Sequence, residues 1–207
     1  GIFQSPEDVT NHYTEVVQPD GSIKNIVLQP DAKPGDIRFK DLNNDGVIDE
    51  NDKEYCGSGI PKLEANLSFG GSYKGVDLSF LLGSAWGHKL YNANRLYYES
   101  MDAGINLFKS TLGAWTEDNR SNVMPRAVLK DPNMNSRESD RFLEKGNFIR
   151  LRQLQVGYTL PKNLTKKVYI DKCRFYVSGE NLLTWTNYSG IDPELSLIHI
   201  SEPTRLA

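Results

Sequence analysis

The stretch Leu63-Glu-Ala-Asn-Leu-Ser-Phe-Gly-Gly-Ser-Tyr-Lys-Gly-Val-Asp-Leu-Ser-Phe-Leu-Leu-Gly-Ser-Ala-Trp86 decides the fold class of this chain. From Leu63 to Tyr73, apolar or small residues alternate with polar ones, and the alternation resumes from Val76 to Trp86. A period of two is typical of strands with one apolar face. The Lys74-Gly75 dipeptide between the two runs favours a tight turn. The stretch therefore predicts a long antiparallel hairpin.

Two further strands are predicted downstream, over residues 148–160 and 172–183. In the first of them the apolar positions change parity near residues 152–153, which predicts a β-bulge. The predicted strands are longer than the usual five or six residues. They match the length of the tilted strands, about 9–11 residues, that cross a bilayer as a barrel.

The connections between the predicted strands are short at 74–75, very long at 87–146 and short again at 161–171. Outer-membrane barrels have short periplasmic turns and long extracellular loops. Within the long connection we expect a short helix over residues 93–101 or 107–115. The pattern predicts an all-β fold, an antiparallel transmembrane β-barrel fragment of about four to five long strands with long extracellular loops. A large soluble β-sandwich is the alternative.

Aromatic residues lie at both ends of the predicted strands. If the short turns are periplasmic, Tyr73 and Tyr158 lie near the inner membrane interface. Trp86 and Trp185 then lie at the outer interface. This arrangement is typical of the aromatic girdles of membrane barrels.

The composition excludes several other classes of protein. The 207 residues carry a net charge of −3, which offers no basic field for nucleic acid. No stretch approaches the ~18 apolar residues of a transmembrane helix. Cys56 and Cys173 are far apart and form no CxxC motif, so they are either free thiols or one disulfide. The chain begins without Met or a signal peptide, and we expect a piece of a longer protein.

The acidic segment 41–52 fits a twelve-residue calcium loop position by position. The expected oxygen ligands occupy places 1, 3, 5, 7, 9 and 12, and they are Asp41, Asn43, Asp45, the Val47 carbonyl, Asp49 and Asp52. Gly46 at place 6 permits the sharp turn. Asp52 stands where an EF-hand has Glu, as in the dockerin variant. Pro and Gly border the segment, so we expect an isolated structural loop without flanking helices. A solvated turn that binds nothing is the alternative.

Four segments, in order, resemble the SusC/RagA-type TonB-linked outer-membrane proteins of Bacteroidetes; they span residues 34–49, 73–79, 148–161 and 175–194. The resemblance covers roughly residues 1–196. It implies the C-terminal part of a plugged barrel of about 22 strands in the cell outer membrane, in contact with its lipid. It also implies import of glycans or peptides, powered by the TonB complex through a missing N-terminal part. A SusD-type surface lipoprotein is the implied lid.

The resemblance divides the chain into three regions. Residues 1–62 are expected to form an extracellular loop region that contains the calcium-type loop 41–52. Residues 63–196 are expected to supply C-terminal barrel strands and loops. Residues 197–207 do not fit the family, and residues 196–206 resemble a translated sequencing adapter, so we expect 197–207 to be a non-native tail.

The long connection also carries candidate ligand-binding residues, Tyr97, Tyr98 and Trp115. Aromatic faces among polar side chains suit the stacking of sugar rings. Packing within the loop, or contact with the lid protein, is the alternative. We find no cluster typical of an active site and expect no enzyme. A secreted calcium-binding β-rich adhesion or dockerin-like module competes with the importer, although a dockerin needs a second copy of the loop.

Overall fold

The computed structural model describes residues 1–102 and 104–194. The expected non-native tail at 197–207 lies outside the described residues. The chain forms two compact units. The first contains Gly1–Cys56 and Asn92–Phe142, and the second contains Gly57–Tyr91 and, of the described residues, 143–194. Most of the long connection, expected to belong with the strands in region 63–196, folds with the first 56 residues.

The described residues contain eight strands and three short α-helices. The strands are β1 (Tyr13–Val17), β2 (Ile23–Val27), β3 (Leu63–Tyr73), β4 (Val76–Trp86), β5 (Lys89–Tyr91), β6 (Leu143–Lys145), β7 (Phe148–Thr159) and β8 (Arg174–Thr186). The helices are α1 (Pro6–Thr10), α2 (Ala93–Tyr98) and α3 (Lys162–Thr165). Four 3₁₀ turns lie at Glu50–Asp52, Lys109–Gly113, Asp140–Phe142 and Lys166–Val168. The short helix expected over 93–101 corresponds to α2.

The second unit is built on an antiparallel sheet with the strand order β3-β4-β7-β8. Strands β3 and β4 pair from Leu63 with Trp86 to Tyr73 with Val76, which confirms the predicted hairpin. Lys74 and Gly75 have φ values of 50° and 89°. Two successive positive φ angles match the twist of the flanking strands and allow a two-residue turn.

The predicted bulge is also present. The pairing of β7 with β8 shifts between Leu151 and Gln153, and the pairing of β7 with β4 shifts between Leu81 and Leu82. One extra residue, Arg152, therefore separates the two halves of β7. Since side chains alternate with a period of two, the bulge returns the apolar residues of both halves to one face.

One face of this sheet carries apolar side chains across all four strands. The paired rows are Tyr73–Val76–Tyr158–Phe175, Gly71–Leu78–Val156–Val177, Phe69–Phe80–Leu154–Gly179 and Leu67–Leu82–Leu151–Leu183. Many of these side chains are exposed, Leu67 to 58%. A contiguous exposed apolar surface marks an interaction site, such as a membrane. The other face carries polar residues, including Asn66, Ser68, Ser79, Gln155 and Ser178.

The first unit contains a hairpin that the sequence analysis did not predict. Strands β1 and β2 pair from Tyr13 with Val27 to Val17 with Ile23. The unit has a small apolar core of Phe3, Val9 and Ala32. Among its described residues, seven buried side chains are polar or charged, including Asp36, and part of this set is described below because it positions the loops.

Candidate functional site

The apolar sheet face has the dimensions of a membrane-spanning surface. From Val76 to Trp86, β4 makes ten residue steps, which is about 34 Å along the strand and about 26 Å in height at a tilt of ~40°. The outward apolar band of an outer-membrane barrel is ~25 Å tall. Tyr73, Tyr158 and Phe175 share the row at one end, and Trp86 and Trp185 lie at the other. The aromatic residues thus mark both edges of the band.

The six predicted calcium ligands lie in one tightly folded loop, packed against the β1–β2 hairpin. The Asp41 carboxylate accepts hydrogen bonds from the amides of Asn44, at 2.7 Å, and Gly46, at 2.9 Å. A Cβ added at Gly46 would lie 3.1 Å from Cδ1 of Ile26 and 3.3 Å from Cγ2 of Val16. With φ at 87°, this position requires glycine both for its backbone and for the close contact.

Asp52 closes the loop. Its carboxylate accepts from the backbone amides of Asp49 and of Leu42, the residue after Asp41, both at 2.7 Å. The backbone amide of Asp49, followed by that of Leu42, holds the pKa of the Asp52 carboxyl below its usual value. Residues at places 1 and 12 are therefore brought together, as a cation site requires.

Two other predicted calcium ligands, Asn43 and Asp45, form hydrogen bonds within the loop. Nδ2 of Asn43 donates to Asp45 Oδ2 at 2.8 Å, and Asp45 Oδ1 accepts from the Val47 backbone amide at 2.9 Å. In the described residues, no three His, Cys, Asp or Glu side chains are grouped as a metal centre. The donor set is entirely oxygen and suits calcium, but Asn43 and Asp45 have to reorient to join Asp41 and Asp52 around an ion.

The candidate ligand-binding aromatics fall into two environments. Tyr97 and Tyr98 meet edge to face with their ring centroids 5.1 Å apart, and Tyr98 lies at the same distance from Phe108. Tyr97 is 58% exposed. Trp115 is only 9% exposed, and its Nε1 donates to Oε1 of Gln4 at 3.0 Å. The Tyr97 ring is thus open to a ligand, whereas the protein itself covers most of Trp115.

Trp115 packs over a glycine. At Gly35, whose φ is 91°, an added Cβ would lie 2.6 Å from Cε3 of Trp115. The Gly35 carbonyl accepts a hydrogen bond from the Arg126 amide at 2.8 Å. These contacts tie the segment 115–126 to the turn that precedes the acidic loop.

A buried carboxylate, missed by the sequence analysis, organises the first unit. Asp36 is fully buried and accepts from Nε of Arg126 at 2.7 Å and from Nη2 at 3.1 Å. It also accepts from Asn135 Nδ2 at 3.0 Å and from the Lys33 amide at 2.9 Å. A bidentate ion pair whose carboxylate oxygens both accept further hydrogen bonds sets the orientation of the two side chains and also stabilises the fold. Asp36 therefore clamps two sequence-distant loops together.

The second unit contains a comparable cluster on the polar side of the sheet. Arg150, 7% exposed, donates to Asp192 at 2.6 Å, Glu194 at 2.7 Å and Thr184 at 3.0 Å. Arg152 adds a bond to Glu194 at 3.0 Å. The signal in the sequence was a pair of arginines inside a strand, which need carboxylate partners when buried.

Two further findings concern the described part of the chain. Cys56 and Cys173 are free thiols. None of the helices in residues 1–102 and 104–194 is long and apolar enough to cross a membrane.

Comparisons with known proteins identify the family. The chain is 30% identical to TonB-dependent receptor P3 of Formosa agariphila over 85% of its own length and 17% of the receptor. It is 27% identical to TonB-dependent receptor SusC of Bacteroides thetaiotaomicron over 82% of its length and 16% of that protein. No family model matches. The chain spans less than a fifth of the curated relatives named here.

The fold is that of a solved transporter barrel. The structure of the RagAB peptide importer in its closed-closed state superposes with a TM-score of 0.61 at 26% identity, covering 86% of this chain and 18% of the other. Its open-open state gives the same TM-score at 25% identity. The antiparallel barrel fragment predicted from strand length is therefore confirmed. The chain belongs to the SusC/RagA-type TonB-dependent receptors, which are outer membrane proteins, and it forms part of their β-barrel.

Proposed function

We propose that this chain supplies C-terminal barrel strands and extracellular loops to a TonB-dependent outer-membrane importer of glycans or peptides. The observation that carries the proposal is the apolar band of about 26 Å, edged by aromatics, in a chain of the SusC/RagA family. The structural neighbour is a peptide importer by its description, which supports a nutrient-uptake role. A SusD-type lipoprotein and the TonB complex are the proposed partners.

No enzymatic step belongs to this proposal. The relatives carry the names of receptors and importers, and Asp36 and Arg150, at the centres of the two buried clusters, are held in ion pairs. The proposed work of the chain is to hold loops at the mouth of the barrel while substrate passes. The adhesion and dockerin-like alternatives receive no support from the comparisons.

Uptake by cells tests the importer proposal. A strain that lacks the full-length gene, complemented with the wild-type receptor or with an empty plasmid, is supplied with fluorescent oligosaccharides or fluorescent peptides. Uptake that requires the receptor and a functional TonB supports the proposal, and the cargo that is taken up decides between glycan and peptide. Uptake of both cargoes at equal rates in the two strains contradicts it.

We propose that the loop at 41–52 binds calcium as a structural clip. The hydrogen bond from the Leu42 amide to the Asp52 carboxylate, which holds the last place of the loop beside its first two residues, supports this. When bound, the ion would supply a hard positive centre for these two carboxylates, Asn43, Asp45, Asp49 and the Val47 carbonyl. Millimolar affinity suffices outside the cell.

Hydrogen exchange of the full-length receptor tests the calcium clip. Millimolar CaCl₂, compared with EGTA, should slow exchange of the amides in residues 41–52, and Asp41→Ala should abolish the difference. Asp118→Ala, at an exposed aspartate outside the loop, is the matched control and should retain it. Equal exchange in CaCl₂ and EGTA contradicts the clip.

Tyr97 and Tyr98 are the proposed contacts for substrate, and the exposure of the Tyr97 ring supports this. Tyr97→Ala together with Tyr98→Ala should weaken substrate binding to the full-length receptor by about tenfold, as loss of one aromatic stacking contact does. Leu112→Ala, at another exposed apolar residue of the same unit, is the control. Unchanged affinity in calorimetry overturns the assignment.

A further inference from the structure

A basic segment connects β7 to β8. This segment, residues 160–173 and here named the basic turn, contains Lys162, Lys166, Lys167 and Lys172 against a single carboxylate, Asp171. The whole chain has a net charge of −3, so the concentration of positive charge is local. All four lysines are exposed, and none forms an ion pair within the described residues.

The basic turn has a defined fold. It consists of α3 followed by the 3₁₀ turn Lys166–Val168, and the Ile170 amide returns to the Thr165 carbonyl at 3.1 Å. Thr165 is buried beneath it. The Leu160 amide donates to the Cys173 carbonyl at 2.9 Å, which closes the turn where β7 ends and β8 begins. The lysines are therefore carried on a compact structure.

Apolar side chains are exposed among the lysines. Leu164 and Ile170 are about half exposed, and Tyr169 is 99% exposed. The backbone of Tyr169 adopts φ = 57°, an uncommon conformation for a residue with a bulky side chain. Exposed apolar and basic side chains on one short structure are typical of segments that lie at a lipid interface.

The basic turn continues the apolar sheet face at its Tyr73 end. The Thr159 amide donates to the Gly75 carbonyl at 2.7 Å, so the β3–β4 turn and the basic turn lie at the same end of the strands. The last row of paired residues at this end of the sheet is Tyr73–Val76–Tyr158–Phe175. Lys74 adds a further cation, with Nζ 5.1 Å from the Tyr73 ring centroid. Positive charge thus lies immediately beyond the aromatic edge of the apolar band.

The Asp77 carboxylate, near the same end of β4, is paired with an arginine of the sheet. Asp77 accepts from Nε of Arg174 at 3.0 Å and from Nη2 at 2.5 Å. Because Asp77 and Arg174 neutralise each other, the lysines of the basic turn give this end of the sheet its net positive charge. The geometry points to an anionic partner whose apolar portion meets Leu164, Tyr169 and Ile170.

We propose that the basic turn binds the phosphate headgroups of anionic phospholipids, such as phosphatidylglycerol, in the leaflet that surrounds this rim of the barrel. The inference rests on the proposed function, because it requires the sheet to span the membrane. A free phosphate satisfies the lysines but leaves the exposed apolar side chains uncovered. A phospholipid supplies the headgroup and the acyl boundary together.

Native mass spectrometry of the full-length receptor tests this proposal. The receptor is equilibrated in detergent with phosphatidylglycerol or phosphatidylcholine, and the retained lipids are counted. The variant K162Q/K166Q/K167Q should lose retained phosphatidylglycerol. Each lysine near an anionic surface is worth about fivefold in binding, so the loss is on the order of a hundredfold at low salt. K162R/K166R/K167R keeps the charge and should retain the lipid.

Two controls make the result specific to the basic turn. K24Q/K33Q/K109Q removes three exposed lysines from the other unit and should retain phosphatidylglycerol as wild type does. Inorganic phosphate in excess should not displace the lipid. Equal phosphatidylglycerol retention by wild type and the basic-turn glutamine variant overturns the proposal, as does an equal loss in the control variant or displacement by phosphate.

The folded barrel is checked separately by its gel mobility without heating, and import is measured in cells. A receptor that folds and imports normally but binds no phosphatidylglycerol refutes only the headgroup site. A receptor without a folded barrel or import refutes the proposed function instead.

Discussion

Leu67 lies near the middle of the apolar band, and a substitution there tests most directly whether the band faces lipid. It is six residue steps from Tyr73 and four from Leu63 on β3, so its height above the Tyr73 edge is ~16 Å of a band of about 26 Å. Its side chain is 58% exposed and pairs with Leu82 across the hairpin. In a complete barrel this exposed side chain faces hydrocarbon.

An arginine at Leu67 therefore carries a charge to the middle of the membrane. The cost at the bilayer midplane is about 2–4 kcal/mol, which lowers the folding equilibrium constant by roughly 30- to 700-fold. Ser68→Arg places the same charge one residue further on, on the opposite face of the same strand. It should cost about 0.5 kcal/mol or less, as a solvated substitution does. Tyr73→Arg, at the edge of the band, should cost ~0–1 kcal/mol for its charge.

The free energy of unfolding is measured for the full-length receptor in phospholipid vesicles. Urea titration is followed by the gel mobility of the unheated folded barrel. Leu67→Arg is expected to destabilise the receptor most, and Tyr73→Arg and Ser68→Arg are each expected to cost about 1 kcal/mol or less. Equal losses for Leu67→Arg and Ser68→Arg, or a larger loss for Ser68→Arg, would refute the assignment of the two faces.

Three further predictions concern the polar clusters. Asp36→Ala leaves the Arg126 guanidinium without its carboxylate and should destabilise the first unit by about 3–5 kcal/mol in native-state hydrogen exchange; a loss below ~1 kcal/mol is inconsistent with the clamp. Because its pKa is lowered by folding, Asp52 stabilises the acidic loop above its unfolded pKa of ~3.9, and this contribution is lost as the pH falls through the lower folded value. Amide exchange in the loop should therefore stay slow at pH 5, and opening already at that pH contradicts the hydrogen-bond pattern. Glu194→Gln removes the carboxylate shared by Arg150 and Arg152 and should accelerate proteolysis of residues 188–194. An unchanged cleavage rate would show that these ion pairs do not hold that segment to the sheet.

The sheet could be predicted because the residues that determine its strands and turns lie close together in the sequence. Strand β4 follows β3 after two residues, so alternation and the Lys74-Gly75 turn define both strands and their pairing. The bulge in β7 was visible as a change of parity in the sequence. The β1–β2 hairpin was missed although Asp20-Gly21 is a turn signal, because its strands are only five residues long and lie in a polar part of the sequence.

The buried clusters could not be predicted because their partners are distant in sequence. Asp36 and Arg126 are 90 residues apart, and each alone reads as an ordinary charged loop residue. Trp115 was singled out for its aromatic ring in a polar segment. Only the fold shows that Gly35 provides the surface on which this ring packs. For the acidic loop, spacing identified the segment, while the orientation of Asn43 and Asp45 depends on the loop's own hydrogen bonds.

The central claim is that the sheet of this chain spans the outer membrane with one face in lipid. Spin labels placed singly at residues 64–72 of the full-length receptor in lipid vesicles test it most directly. Collision with oxygen, which concentrates in lipid, should peak at Ala65, Leu67, Phe69 and Gly71. Collision with a water-soluble nickel complex should peak at the even-numbered positions between them. In-phase profiles, or equal oxygen accessibility along the strand, would contradict the account.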